Sequence, residues 1–356
     1  MVENMITLGL ETSCDETAVA VVEGRFNVLS SIVASQDEIH AKYGGIVPEL
    51  ACRRHVEMIR PLVKEALTTA GITLDRVGLV SATRGPGLVG ALLVGLSYAK
   101  ALAWARKLPF AGVNHLEGHV MSAFVQRPDT PLPAVALLVS GGHTELFLVE
   151  RIGELAHLGG TRDDAVGEAF DKVAKMLSLG YPGGPVVEKM AEQGAPVYNI
   201  PVAMANANTL DFSFSGPKTA VKQLIKKLEK EEGGLNTANI CASFQRSAVD
   251  ALVLKTGFAI EKHNPASILI VGGVASNGAL RRAMSRLGEE RSVDVVFPSP
   301  ELCTDNAVMI ASAGACSFLD DPQNRAWRDY LTLDADPSWM PGILNITESR
   351  RSREGA

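Results

Sequence analysis

Apolar positions alternate at the start of the chain. Ile6, Leu8 and Leu10 fall on every second position, a small polar turn holds Thr12, Ser13 and Asp15, and a β-rich run follows from Ala18 to Val22. The same pattern returns at residues 134–150, AVALLVSGGHTELFLVE. Here an apolar strand leads to a turn of Ser140, Gly141, Gly142, His143 and Thr144, then to a second strand from Leu146 to Val149. An internal repeat of this kind predicts a duplicated domain. Between the copies, HVEMIRPLVKEAL and GALLVGLSYAKALAWA read as helices and VGLVSATRG as a short strand. Beyond the second copy the segments are mostly helical until ASILIVGGVASNGALRRAM. That stretch reads as a buried strand, a glycine turn and a helix start, with Asn277 near the helix N-terminus. The last thirty-odd residues are polar and contain prolines, and RRSREGA at the end reads as a frayed tail. Strands and helices alternating in two related halves predict an α/β architecture with a cleft between two lobes.

Length and composition fit this picture. A chain of 356 residues accommodates two lobes of ordinary size. At 46% hydrophobic and 21% charged it is a globular composition rather than a disordered one. The longest uncharged apolar run, Gly85 to Ala99, is too short to span a bilayer and reads as a buried helix. The N-terminus carries Glu3 and no basic-then-apolar run, so it does not read as a signal peptide. Cys14, Cys52, Cys241, Cys303 and Cys316 are scattered and form no CxxC pair, the usage expected of reduced, buried thiols in a cytosolic protein. The formal net charge is −6, poor for a lone nucleic-acid binder. One local basic strip exists: Lys218, Lys222 and Lys226 lie four residues apart on one helical face. A Glu-rich run, Glu229, Glu231 and Glu232, follows it and equally suits a solvated helix surface.

Chemistry concentrates in a few stretches. NHLEGHV places His115 and His119 four residues apart, so both imidazoles can reach one metal ion from one helical face. The zincin pattern would need a Glu directly after the first His, and Leu116 stands there. A third ligand must come from elsewhere. In CTDNAVMIA, Thr304 or Asp305 reads as a helix N-cap, and Asp305 could instead complete a two-His-one-carboxylate set. The VSGGH turn suits either a tight hairpin or an anion-binding nest, with its glycines permitting positive φ. GGVASN, before a helix, offers a second such turn. RGPGLVGALLVG lacks the Lys-Ser/Thr of a P-loop, and its glycines read as close helix packing. Asp171 and Lys172, mid-helix in GEAFDKVAKML, read as a surface ion pair, and the YPGGP loop that follows offers exposed backbone amides.

LETSCDETAVAVV, GPGLVGALLVG, NHLEGHV, LLVSGGHTEL, GEAFDKVAKML, GYPGGP, FSFSGPKTAV, GGVASN and CTDNAVMIA occur in this order. Together they closely resemble the bacterial TsaD family of tRNA threonylcarbamoyladenosine transferases, over residues 5 to about 318. Pro217 departs from the apolar residue expected there, and a proline near a helix start is tolerable. The resemblance implies an actin-like ATPase-domain (ASKHA) fold, with lobes at 1–115 and 116–318 and a C-terminal segment at 319–356. It implies transfer of a threonylcarbamoyl group from threonylcarbamoyl-AMP to the exocyclic amine of the adenosine 3′ of the anticodon, in tRNAs reading codons that begin with A. It makes His115, His119 and Asp305 ligands of iron or zinc, and Leu138, Val139, Ser140, Gly141 and Gly142 a substrate-contacting loop. Asp171, Gly184 and Asn277 become contacts to the nucleotide part. His143 is a candidate proton acceptor. The partners implied are tRNA, TsaB-like and TsaE-like proteins and a TsaC-like enzyme that supplies the intermediate, in the cytoplasm and away from membranes. Two competing readings are a metal-dependent glycoprotein endopeptidase and an actin-fold ATPase or nucleotide-binding scaffold. The missing Glu opposes the first, and the histidine pair opposes the second, because such ATPases hold Mg²⁺ through phosphates and carboxylates.

Overall fold

The computed structural model describes residues 4–231 and 234–342. Its first half opens with β1 (Ile6–Glu11), β2 (Glu16–Glu23) and β3 (Asn27–Ser35). A short helix α1 (Asp37–Ala41) and a long α2 (Pro48–Thr69) lead to β4 (Val77–Gly85), α3 (Val89–Arg106) and β5 (Phe110–Asn114). Helix α4 (His115–Gln126) crosses to the second half, which begins with β6 (Ala134–Val139), β7 (Thr144–Arg151) and β8 (Glu154–Gly160). Then come α5 (Val166–Met176), α6 (Gly183–Ala191), α7 (Ser215–Leu228), α8 (Thr237–His263) and β9 (Ser267–Val271). Helix α9 (Gly278–Arg291), β10 (Asp294–Val296), α10 (Pro300–Cys303) and α11 (Ala307–Asp320) complete the series.

The two sheets have the same topology. The first runs β3-β2-β1-β4-β5 and the second β8-β7-β6-β9-β10, each with an antiparallel meander on one side and parallel strands on the other. The predicted repeat is therefore structural as well: β1 and β2 correspond to β6 and β7. β1 and β6 are buried along their whole length because each is covered on both faces. The architecture is that of the actin-like ATPase domains.

Helices α4 and α11 fill the space between the sheets. Leu116, Val120 and Phe124 of α4 share a core with Leu138 of β6 and with Met309 and Ile310 of α11. Ala307, Val308 and Ala311 of α11 pack under Ala18, Ala20 and Val22 of β2. This sandwich fixes where α4 and the turn before α11 meet.

Two expectations are corrected. The run from Gly85 to Ala99 is not a wholly buried helix. Its helix starts at Val89 and buries Leu92, Leu96, Ala99 and Ala103, but Val89, Leu93 and Trp104 face outward. Of the cysteines, all free, only Cys241, Cys303 and Cys316 are buried, and Cys14 and Cys52 are partly accessible. The C-terminal segment packs on the first lobe: Tyr330 is buried in its core, and the chain runs on to 342 across the sheet ends. RRSREGA lies outside the described residues. Among the described residues, no helix is long and apolar enough to cross a membrane.

Candidate metal centre and cleft

Helix α4 begins where it does because Asn114 caps it. The Asn114 Oδ1 accepts hydrogen bonds from the amides of Leu116 at 2.9 Å and Glu117 at 3.2 Å. The four-residue spacing then stacks His115 and His119 on the face turned into the protein, with ring centroids 4.7 Å apart. Asp305, in the turn before α11, brings its Oδ1 to 3.5 Å from His115 Nε2 and 3.1 Å from His119 Nε2. The cap of α11 is neither Thr304 nor Asp305. Asn306 fills that role, accepting from the Met309 amide at 3.0 Å, and this frees the neighbouring carboxylate to face the histidines.

The three side chains suit a divalent metal. Their ligand atoms all lie within 4.8 Å of one another. Both Nε2 atoms converge on one carboxylate, and His119 is fully buried with neither ring nitrogen in an aligned hydrogen bond. An imidazole orphaned in this way is costly unless something else takes up its lone pair. Two histidines and a carboxylate with open positions form a set used for iron and zinc.

Sequence reading missed the group behind His115. Glu11, at the end of β1, is fully buried. Its carboxylate accepts from the Ser13 amide at 2.5 Å, the Thr83 hydroxyl at 2.6 Å and His115 Nδ1 at 2.9 Å. A carboxylate on Nδ1 holds a proton there, so Nε2, toward Asp305, is the nitrogen that would give up its proton to a metal. The only signal in the sequence was an acidic residue closing an apolar strand.

The electrostatics are strongly coupled. Burial alone would depress His115, but the charges of Asp305 and Glu11 outweigh it and hold it at about 9. Burial would raise Asp305 and Glu11, yet the facing imidazoles pull both below the ordinary carboxylate range. His143 is lowered to about 4, first by burial and then by the two neighbouring histidines. It is a neutral imidazole at physiological pH.

His143 sits in the turn between β6 and β7. The turn is closed by Ser140, whose amide donates to the His143 carbonyl at 2.8 Å and whose hydroxyl accepts from the His143 amide at 3.1 Å. Leu138 and Val139 are fully buried strand residues, so their side chains serve the cores. Gly141 and Gly142 are exposed, and neither takes the positive φ that the sequence suggested. A Cβ on either would meet nothing in the protein, which leaves their backbone open to a ligand. The GGVASN turn lies against the end of β6. Gly272 has φ +92, and a Cβ there would strike the Val139 carbonyl, so only glycine fits.

The nucleotide-side residues group around α5, α6 and α9. Asp171 does not pair with Lys172: its Oδ1 accepts from the Gly183 amide at 2.6 Å, at the start of α6. Burial raises its pKa. Lys172 instead reaches Asp164 at 2.7 Å and Glu168 at 2.9 Å. Gly184 follows directly and is open on its Cα side. Glu188 of α6 accepts from the Gly278 amide at 2.6 Å, tying α6 to the start of α9. Asn277 caps α9, accepting from Leu280 at 3.0 Å and donating to Gln245 at 3.0 Å. Both ends of its side chain are thus committed within the protein.

Two further findings concern charge. Asp15, Glu16 and Asp37 form a second carboxylate group, with oxygens within 4.8 Å of one another. Glu16 is raised well above the ordinary range, first by burial and then by Asp305 and Asp15. Lys218, at one end of the basic strip, is paired with Asp164, so Lys222 and Lys226 are the exposed remainder of that strip.

The chain is also similar to known proteins. A family profile for TsaD, tRNA N6-adenosine threonylcarbamoyltransferase, matches residues 27–312. Proteins named tRNA N6-adenosine threonylcarbamoyltransferase share 50% identity over 336 residues in Geobacter metallireducens (94% of this chain, 97% of the relative) and 50% over 341 residues in Clostridium perfringens (96% and 99%). Among solved structures, HypF of T. kodakarensis aligns with a TM-score of 0.60 at 13% identity, over 88% of this chain and 48% of HypF. The activator of the 2-hydroxyisocaproyl-CoA dehydratase from Clostridium difficile, with bound ADPNP, aligns at 0.52 and 12% identity, over 90% and 97%. These two distant likenesses speak to the fold alone. The near-full-length identity, the family match and the ordered run of motifs place the chain in the TsaD family, the tRNA N6-adenosine threonylcarbamoyltransferases.

Proposed function

We propose that the chain performs its transfer with a divalent metal, iron or zinc, held by His115, His119 and Asp305. The observation that carries this is the convergence of two buried Nε2 atoms on one carboxylate that the adjacent Asn306 cap has set free. When bound, such a metal supplies Lewis-acid polarisation and a template for substrate oxygens. The donor is threonylcarbamoyl-AMP, a mixed anhydride whose leaving group is already good. The amides of Gly141 and Gly142 are the candidates to stabilise charge developing on the carbonyl oxygen. Asp171, Gly184 and Asn277 hold the nucleotide part, Asn277 through a rearranged amide or its backbone. The acceptor, the exocyclic amine of the adenosine 3′ of the anticodon, is a weak nucleophile, so positioning supplies much of the rate. His143, a neutral imidazole beside the metal pair, is the candidate to take the amine proton. The lobes 1–115 and 116–318 close over this site, with 319–356 as an added segment.

The activity belongs to an assembly in the cytoplasm. With a net charge of −6 and Lys218 already paired, the chain offers little to a polyanion by itself. We assign the missing surface to a TsaB-like partner docked on the helices of the first lobe. Val56 of α2 and Val89 and Leu93 of α3 are exposed there, and apolar groups on neighbouring helices favour a partner. A TsaE-like protein and a TsaC-like enzyme that makes the intermediate complete the set. The test is reconstitution from purified tRNA, ATP, threonine, bicarbonate and the intermediate-forming enzyme. Without the TsaB-like and TsaE-like proteins, little modified adenosine should form over many turnovers. Efficient turnover by this chain without them would refute the partner requirement.

A further inference from the structure

The C-terminal segment crosses the first lobe at one place after another. Lys100 Nζ donates to the Leu331 carbonyl at 2.9 Å and to that of Leu333. Arg84 Nε donates to the Asp334 carbonyl at 2.8 Å, and the Asp336 amide donates to the Arg84 carbonyl at 2.9 Å. The Arg84 guanidinium lies over the Trp339 ring, 5.1 Å from its centre. Beyond this point Met340 packs against the core shared by α4 and both sheets, and Gly342 sits against Leu155 and His157 of β8. The segment is a strap from the first sheet to the second.

One hydrogen bond joins the strap to the cap of the metal helix. Asn114 Nδ2 donates to the Trp339 carbonyl at 3.0 Å. This bond fixes which way the carboxamide faces. With the amino end spent on the strap, Oδ1 must point at the amides of Leu116 and Glu117, the two that it caps. His115 is the next residue, so the orientation of one amide sets the first turn that carries a metal ligand. A single side chain thus links the strap to the histidine pair.

We infer that residues 334–342 are a positioning element for the metal centre, acting through Asn114. The inference rests on the metal reading above. Two substitutions test it without touching a ligand. Asn114→Ser keeps an N-cap oxygen but has nothing that reaches the Trp339 carbonyl. Gly85→Ala acts from the other side: a Cβ there would overlap the Asp336 carbonyl and push the strap off β4.

The readout is Co²⁺ bound to the full chain, measured by chelator competition and by its visible d–d absorption, with circular dichroism to confirm the fold. A group hydrogen-bonded directly to a metal's ligand is commonly worth about 10–100-fold in affinity, and the cap stands one residue removed, so the low end of that range applies. Both variants should therefore bind Co²⁺ about tenfold more weakly and with an altered visible band, which a merely destabilised but intact fold would not produce. Should Gly85→Ala fail to fold, Asn114→Ser decides alone. Native affinity and an unchanged band in a folded Asn114→Ser protein overturn the inference while leaving the metal reading standing. Failure of the unsubstituted chain to bind one Co²⁺ overturns the metal reading, and this inference with it.

Discussion

Glu11→Gln separates the metal site from the fold at almost constant volume. In the native chain Oε1 accepts from the Ser13 amide, while Oε2 accepts from both Thr83 and His115. An amide can serve only one side. If its oxygen stays on Ser13, its NH₂ faces His115 Nδ1, which can then no longer keep a proton, so the ring's remaining proton sits on Nε2, the nitrogen that faces Asp305. That tautomer cannot hold a metal through Nε2. If the amide turns round, Nδ1 keeps its acceptor but the buried Ser13 N–H loses its own, at a cost of about 1–3 kcal/mol. Metal binding would select the second arrangement, so the loss of metal affinity is bounded by the same 1–3 kcal/mol, about 5- to 150-fold. Competition against a chelator with Co²⁺ or Zn²⁺ measures it, and thermal unfolding of the metal-free protein measures what falls on the fold. Transfer activity should drop with metal occupancy and recover in part at high metal concentration. Native metal affinity in Glu11→Gln would refute the tautomer argument.

Three further outcomes follow from other parts of the structure. Gly142→Val should weaken binding of an AMP analogue by tenfold or more in calorimetry while changing the unfolding midpoint little, because a Cβ there meets no protein atom; unaltered affinity would count against the cleft assignment. Asp164 is raised by burial but lowered more by Lys172 and Lys218, so its folded pKa lies below the unfolded one. The unfolded chain then binds more protons, and this stabilisation is complete above about pH 4 and lost as the pH falls below it. Asp164→Asn should cost about 1 kcal/mol at pH 7 after discounting for partial exposure and should flatten the acid side of the urea-midpoint profile; an unchanged slope would show that other carboxylates dominate. Removal of metal by chelation should abolish transfer, and restoring Fe²⁺ or Zn²⁺ singly should identify the native ion by which one revives it.

Patterns with a short period were legible in the sequence. The strand–turn–strand pattern of β1 and β2 and its copy in β6 and β7, the Gly-spaced packing of α3 and the place of Asn277 at a helix N-terminus need only local rules, and each is found in the fold. The glycines of RGPGLVGALLVG do permit close approach, since a Cβ at Gly95 would strike Thr12. What the sequence could not reveal depends on groups brought together from far apart. Glu11 and His115 are separated by 104 positions, and nothing local distinguishes Glu11 from a strand-ending surface acid. Asp171 and Lys172 are neighbours in the chain, yet successive helical residues point apart, so Lys172 pairs along its own face and Asp171 caps α6. Asp305 was ambiguous because Asn306 competes for the same cap, and only packing of α11 decides between them. The path of residues 331–342 gave no sign in the sequence because its bonds are largely to backbone carbonyls, which leave little trace in composition.

The most direct measurement is the threonylcarbamoyladenosine content of bulk tRNA, by mass spectrometry of nucleosides, in cells depleted of their own enzyme and supplied with this chain. The unsubstituted chain should restore the modification. His119→Ala, expressed to the same level and folded, should restore none, because it removes one of the two imidazoles that face Asp305. Restoration by His119→Ala would contradict the assignment of the metal centre, and failure of the unsubstituted chain, with compatible partners present, would contradict its use of this tRNA substrate.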